Sequence, residues 1–125
     1  MADKSPKISE AEMQLLQILW DESPLGATGI AERVPDERGW TITTVKTLLS
    51  RLVAKGALKA EPQGRKYLYA PAIERDRVAA NQARGLVDRL FGGRVSPLVA
   101  QLAEQRQLDD EDIAELEALI RSLRK

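Results

Sequence analysis

The sequence predicts a mainly α fold with one small β-hairpin, on three observations. Apolar residues recur every three or four positions over most of the chain, as in helices with one buried face. Between residues 57 and 70 the period drops to two around a Gln63-Gly64 turn signal, as in paired strands. Beyond Pro71 the helical period returns, broken by Gly92-Gly93 and by Ser96-Pro97, so further helices follow the hairpin.

Residues 1–7 read as a short disordered leader. Ser9-Glu10-Ala11-Glu12 then reads as a capping box, with Ile8 and Met13 placed to form a hydrophobic staple. The helix it opens turns Met13, Leu16, Leu19 and Trp20 inward, and Leu15 and Ile18 widen the stripe. It should end near Asp21-Glu22-Ser23-Pro24, because Pro24 restricts the residue before it. Leu25-Gly26-Ala27 is a tight connection. Thr28 is placed to cap a short helix from Gly29 to about Val34, with Ile30, Ala31 and Val34 inward. Pro35 to Gly39 is a polar loop.

The third helix is the one the surrounding chain is arranged to present. Thr41 caps its start and Gly56 lies just past its end. Ile42, Val45, Leu48, Leu49, Leu52 and Val53 form its apolar stripe. The opposite face holds Thr43, Lys46, Thr47, Ser50 and Arg51, with Thr44 at the edge and no carboxylate. Solvated helix faces normally mix both signs; a hydroxyl-rich cationic face suits a phosphate backbone and the edges of bases. Two short helices followed by a longer one is the order of a helix-turn-helix unit. The hairpin, Ala57–Pro62 and Arg65–Ala70, is then a wing. Arg65 and Lys66 start its second strand, within reach of a phosphate or the minor groove. Tyr67 and Tyr69 share a face expected to pack against the helices. Residues 8–72 therefore read as a winged helix-turn-helix domain.

Residues 73–125 read as a helical dimerisation region. One helix runs from about Glu74 to Phe91, Ser96-Pro97 opens a second, and Asp109 or Asp110 caps a third. They offer too few large side chains for a separate core. A symmetric dimer, burying the same seam from two chains, solves that problem; a helical cap folded back on the winged domain is the alternative. The expected seam is Val78, Leu86, Leu90, Leu98, Leu102, Ile113, Leu116, Leu119, Ile120 and Leu123.

Charge and composition bound the chemistry. Net charge is zero, yet residues 41–70 carry six Lys/Arg against Glu61 alone, a local balance of +5. A neutral chain with a basic middle third can still bind nucleic acid locally. Cysteine and histidine are absent, which removes disulfides, most zinc chemistry and the usual general base of hydrolases. The carboxylates stand at helix starts and on exposed faces, so neither an enzyme nor a cofactor is expected. No apolar run approaches a membrane span and no signal-peptide apolar region is present, so the expected address is the cytoplasm, with no membrane partner.

Several of these stretches together resemble the penicillinase-repressor family (the BlaI/MecI/CopY group). Ile8-Ser9-Glu10-Ala11-Glu12 followed by Leu19-Trp20 is similar to its start. Trp40-Thr41, Thr44-Val45-Lys46-Thr47-Leu48-Leu49-Ser50-Arg51-Leu52 and Lys55-Gly56 resemble its recognition-helix signature. Gly64-Arg65-Lys66-Tyr67-Leu68-Tyr69 with Pro71 is similar to its wing. The resemblance implies a repressor that binds a pseudo-palindromic promoter operator as a homodimer through its C-terminal helices. Arg51 is then the best candidate for bidentate contact with guanine, a backbone contact being the close alternative, while Lys46, Arg65 and Lys66 supply phosphate contacts. Copper-responsive members use a C-terminal cysteine cluster, which this chain lacks. The β-lactam-responsive members are inactivated by proteolysis at an Asn–Phe bond; the matching bond here is Gln101–Leu102, with different residues, and a sensor-linked protease is the partner implied. The rival reading is a winged-helix protein-interaction module whose basic face meets an acidic partner.

Overall fold

The computed structural model describes residues 6–124, so positions 1–5 of the expected leader lie outside the described residues. The chain divides into two compact units, Met1–Asn81 and Gln82–Lys125. Helix α1 (Glu10–Asp21), α2 (Ala27–Arg33) and α3 (Ile42–Ala54) lead into the strands β1 (Leu58–Gln63) and β2 (Lys66–Pro71). Helices α4 (Arg75–Phe91), α5 (Val95–Glu104) and α6 (Asp110–Leu123) follow, and the division between units falls inside α4. Among the described residues, no helix is long and apolar enough to cross a membrane.

Local chemistry sets most boundaries. The capping box of α1 is present: Glu12 N–H donates to Ser9 Oγ at 3.1 Å and Ser9 N–H to Glu12 Oε1 at 2.8 Å. Thr44 N–H donates to Thr41 Oγ1 at 3.2 Å, which starts α3 where expected. At the other end Ala57 N–H reaches the Leu52 carbonyl and Gly56 N–H the Val53 carbonyl, a Schellman motif with Gly56 at φ +80°. A side chain there would crowd its own backbone, which is why glycine follows the helix. Two starts differ from expectation. Helix α2 begins at Ala27, with Gly26 as its unsupported cap, so Thr28 lies inside the first turn. Helix α5 begins at Val95 rather than at Pro97; a first-turn N–H has no intrahelical acceptor, so proline is tolerated there.

The core of the first unit is Leu15, Leu16, Ile18 and Leu19 from α1, Ile30 and Val34 around α2, Val45, Leu48, Leu49 and Leu52 from α3, with Ala57 and Leu58. Met13 and Trp20 are half-buried, and Ile42 and Val53 are more exposed still, so both stripes are narrower than predicted. The hairpin pairs Gln63 with Lys66, which makes Gly64-Arg65 the turn in place of Gln63-Gly64. Gly64 sits at φ +63°, the left-handed position a two-residue loop requires. Leu25 bridges to Tyr69 on the free side of β2, with bonds of 3.1 and 2.8 Å. That leaves β1 as the edge, where Pro62 is accommodated.

In the second unit, α5 and α6 contain no buried residue. Asp109 caps α6 in a capping box with Asp112. Of the expected seam, Leu90, Ile113, Leu119, Ile120 and Leu123 are exposed, Leu123 by 83%, while Leu86, Leu98, Leu102 and Leu116 are half-buried. Val78 departs from the expectation. At 3% exposure it is already buried within the chain and has no surface to give a partner.

Candidate nucleic-acid interface

Helix α3 presents its polar face as the periodicity requires. Thr41, Thr43, Lys46, Thr47, Ser50 and Arg51 are exposed, and Thr44 is half-buried at the cap. The hydroxyls of Thr41 and Thr44 lie 3.2 Å apart, and Thr47 donates to the Thr43 carbonyl at 3.0 Å. These bonds hold the threonines against the helix and leave Lys46 and Arg51 to extend from it.

Arg33 pairs with Glu22, Arg38 with Glu10, Lys55 with Glu12 and Arg75 with Asp21. Lys46, Arg51, Arg65 and Lys66 form no ion pair among the described residues. The four pairs tie segments of the fold together, whereas Lys46, Arg51, Arg65 and Lys66 stand on the third helix and at the tip of the wing. A cleft of about 340 Å³ brings the two elements together, lined by Lys46, Arg65 and Lys66 with Thr28, Tyr67 and Tyr69 and the backbone of Gly26 to Gly29. Its lining has three cations and no carboxylate. A second cleft, of about 300 Å³, lies between Ser50, Val53 and Ala54 of α3 and Ala60, Tyr67 and Tyr69 of the hairpin.

Tyr67 lines both clefts and is 53% exposed, whereas Tyr69 packs on the core. The expectation that both rings pack inward holds for Tyr69 alone. Tyr67 and Thr28 were missed as candidates for the interface. A ring directly after Arg65-Lys66 could have flagged Tyr67; nothing in the sequence flags Thr28, which lies in the first turn of α2 and lines the cleft.

Helix α3 is anchored to the first turn of α1 on either side. Before α3, the Arg38 guanidinium forks onto the Glu10 carboxylate, bonds Gln14 Oε1 at 3.2 Å and lies 4.8 Å from the centre of the Trp40 ring. That hydrogen-bonded Arg38 holds the Glu10 carboxyl below the usual range. At its end, Lys55 Nζ donates to Glu12 Oε1 at 2.5 Å and to the Lys7 carbonyl at 2.7 Å. Burial pushes the Glu12 carboxyl up, but the bonds from Lys55 and Ser9 outweigh it and keep it below its ordinary value. No local pattern marks Lys55 for this role, because its partner is 43 positions away.

The model of one family matches residues 8–122: Penicillinase repressor. The chain belongs to the penicillinase repressor family. Members of this family are DNA-binding repressors and not enzymes. The penicillinase repressor of Bacillus licheniformis is 29% identical over 113 residues, covering 90% of this chain and 88% of that protein. The methicillin resistance regulatory protein MecI of Mammaliicoccus sciuri is 25% identical over 120 residues, covering 96% and 98%. The solution structure of the DNA-binding domain of the repressor BlaI aligns at a TM-score of 0.52 and 31% identity, over 59% of this chain and 90% of that one. The monomeric form of Bacillus licheniformis BlaI in complex with the blaP half-operator aligns at 0.50 and 30%, over 58% and 88%. The winged-helix fold expected from the sequence is the fold of these penicillinase repressor relatives.

Proposed function

We propose that this repressor blocks transcription by occupying a pseudo-palindromic promoter operator as a homodimer. Residues 8–72 act as the DNA-binding domain and 73–125 as the dimerisation region. The segment 41–55 enters the major groove and the wing, 57–70, lies on the backbone. The observation that carries this reading is the cleft lined by Lys46, Arg65 and Lys66 with no carboxylate, beside the exposed face of α3 on which Arg51 stands without an ion pair among the described residues.

Each residue then has a task. Arg51, with Thr43 and Thr47, meets base edges, because a guanidinium forks onto guanine O6 and N7. Lys46, Arg65 and Lys66 meet phosphates, which gives affinity and salt dependence with little sequence choice. Thr41, Thr44 and Ser50 border the contact, and the first-turn amides of α3 hold a phosphate. The exposed apolar seam of α6, with Leu90, pairs two copies and so brings two recognition helices to one operator. Repression is relieved by cutting the dimerisation region, for which Gln101–Leu102 in α5 is the candidate bond and a sensor-linked protease the candidate partner. The protein works in the cytoplasm, on double-stranded DNA.

A mobility-shift titration with the protein's own upstream region, at two salt concentrations, tests the reading. Specific binding should weaken steeply with salt, and footprinting should reveal two related half-sites. No retardation at low salt would favour an acidic protein partner for the same face.

A further inference from the structure

Ile42 carries apolar surface that the fold leaves unused. The period of α3 assigns it to one stripe with Val45, Leu48, Leu49 and Leu52, all of which are buried. Ile42 itself is 42% exposed. Among the described residues of the first unit, the other large apolar side chains left exposed are Val53 and Tyr67, and both line the cleft between α3 and the hairpin. Ile42 lines neither of the clefts described above. It is the first residue of α3, directly after the Thr41 cap and one turn before Lys46.

A single exposed isoleucine is ordinary on a protein surface. Position separates this one. Side chains of a helix tilt toward its N-terminus, so the first of them reaches past the helix start. The N-terminal residues of a recognition helix are the ones that meet base edges. The bond from Thr44 N–H to Thr41 Oγ1, 3.2 Å long, fixes the backbone here. A β-branched side chain in a helix keeps few rotamers, so little entropy is lost on contact. The side chains around it on the helix surface, Thr41, Thr43 and Lys46, are exposed and polar. Hydroxyls and cations read hydrogen-bonding groups, which an isoleucine cannot do. What the major groove offers an apolar side chain is the thymine C5-methyl group.

We propose that Ile42 is a specificity-determining residue, packing on the C5-methyl group of a thymine where the start of α3 enters the groove. The operators it selects carry a T·A pair at that point, because a cytosine there presents hydrogen in place of the methyl group and leaves Ile42 nothing to cover. The inference deepens the operator-binding reading above and rests on it, and it holds for one half-site as for two.

The test uses the full chain and the operator located by footprinting, with each thymine replaced in turn by deoxyuridine. That change removes the methyl group and keeps every hydrogen-bonding group. Covering one methyl group is worth about fourfold in affinity, so one thymine of a half-site should show that loss with the wild type. Ile42→Ala should weaken the natural operator and bind it no better than the deoxyuridine duplex. Lys46→Gln, weaker on every sequence, should keep the deoxyuridine penalty, which separates loss of the methyl contact from general weakening. Wild-type affinity indifferent to deoxyuridine at every position overturns the inference and leaves operator binding standing. A penalty undiminished in Ile42→Ala also overturns it, since another residue then reads the methyl group. If no operator is bound at all, the DNA-binding reading fails and takes this inference with it.

Discussion

Replacing Lys55 with alanine should destabilise the winged unit far more than loss of a surface lysine. Glu12 is 1% exposed, and its carboxylate is held by Lys55 and by the Ser9 N–H. Removing one partner of a fully buried pair costs about 3–5 kcal/mol. The Lys55 side chain is 33% exposed, so water already weakens the pair, and about 2–3 kcal/mol is the expected cost at pH 7. On a urea slope of about 1 kcal/mol per M, the midpoint should fall by about 2 M. Trp20 and Trp40 both lie in this unit, so tryptophan fluorescence follows its unfolding alone.

The pH dependence separates this charge effect from loss of packing. In the wild type the Glu12 pKa is lowered, so the pair's contribution is complete above the ordinary carboxyl value of 4.5 and is lost only as pH falls through the lowered one. Without Lys55, only the bonds from Ser9 oppose burial, so the carboxyl rises above its wild-type value. The variant's deficit should therefore shrink as pH falls through the variant's higher Glu12 pKa, where the carboxyl takes up a proton in the variant before it does in the wild type. Glu12→Gln, which keeps an acceptor for Ser9 and removes the buried charge, should cost about 1 kcal/mol, and Lys55→Ala added to it little more. A midpoint shift below about 0.5 M, or a deficit independent of pH, would refute the role given to this pair.

Arg51→Ala should weaken operator binding by about 1–3 kcal/mol and relax base preference at one position per half-site, read from a mobility-shift panel of operator variants. Lys46→Gln and Lys66→Gln should each weaken all sequences alike and lower the salt slope by about one, checked by titration at several salt concentrations. Leu119→Asp places a charge on the α6 seam, where the wild-type side chain is 60% exposed in one chain; sedimentation should show a folded monomer that retains half-site binding. Gly56→Ala forces a side chain into φ +80° and should cost about 1–2 kcal/mol, measured by the same urea unfolding.

The sequence by itself determined what local chemistry decides. Ser9 and Glu12, Thr41 and Gly56, Asp109 and the pair Gly92-Gly93 mark helix ends because caps and left-handed residues act within a turn of where they stand. The polar face of α3 was legible for the same reason: a period of 3.6 assigns each residue to a side. Only the tertiary structure decided which charges are free. Lys55 and Lys46 look alike in the sequence, but folding brings Glu12 to one and a cationic cleft to the other. It also decided that Tyr67 faces outward, that Thr28 reaches the cleft, that Val78 is already buried, and that Leu25 joins the hairpin through Tyr69. Each of these depends on contacts between segments far apart in the chain, and a period or a cap carries no information about what will be packed against it.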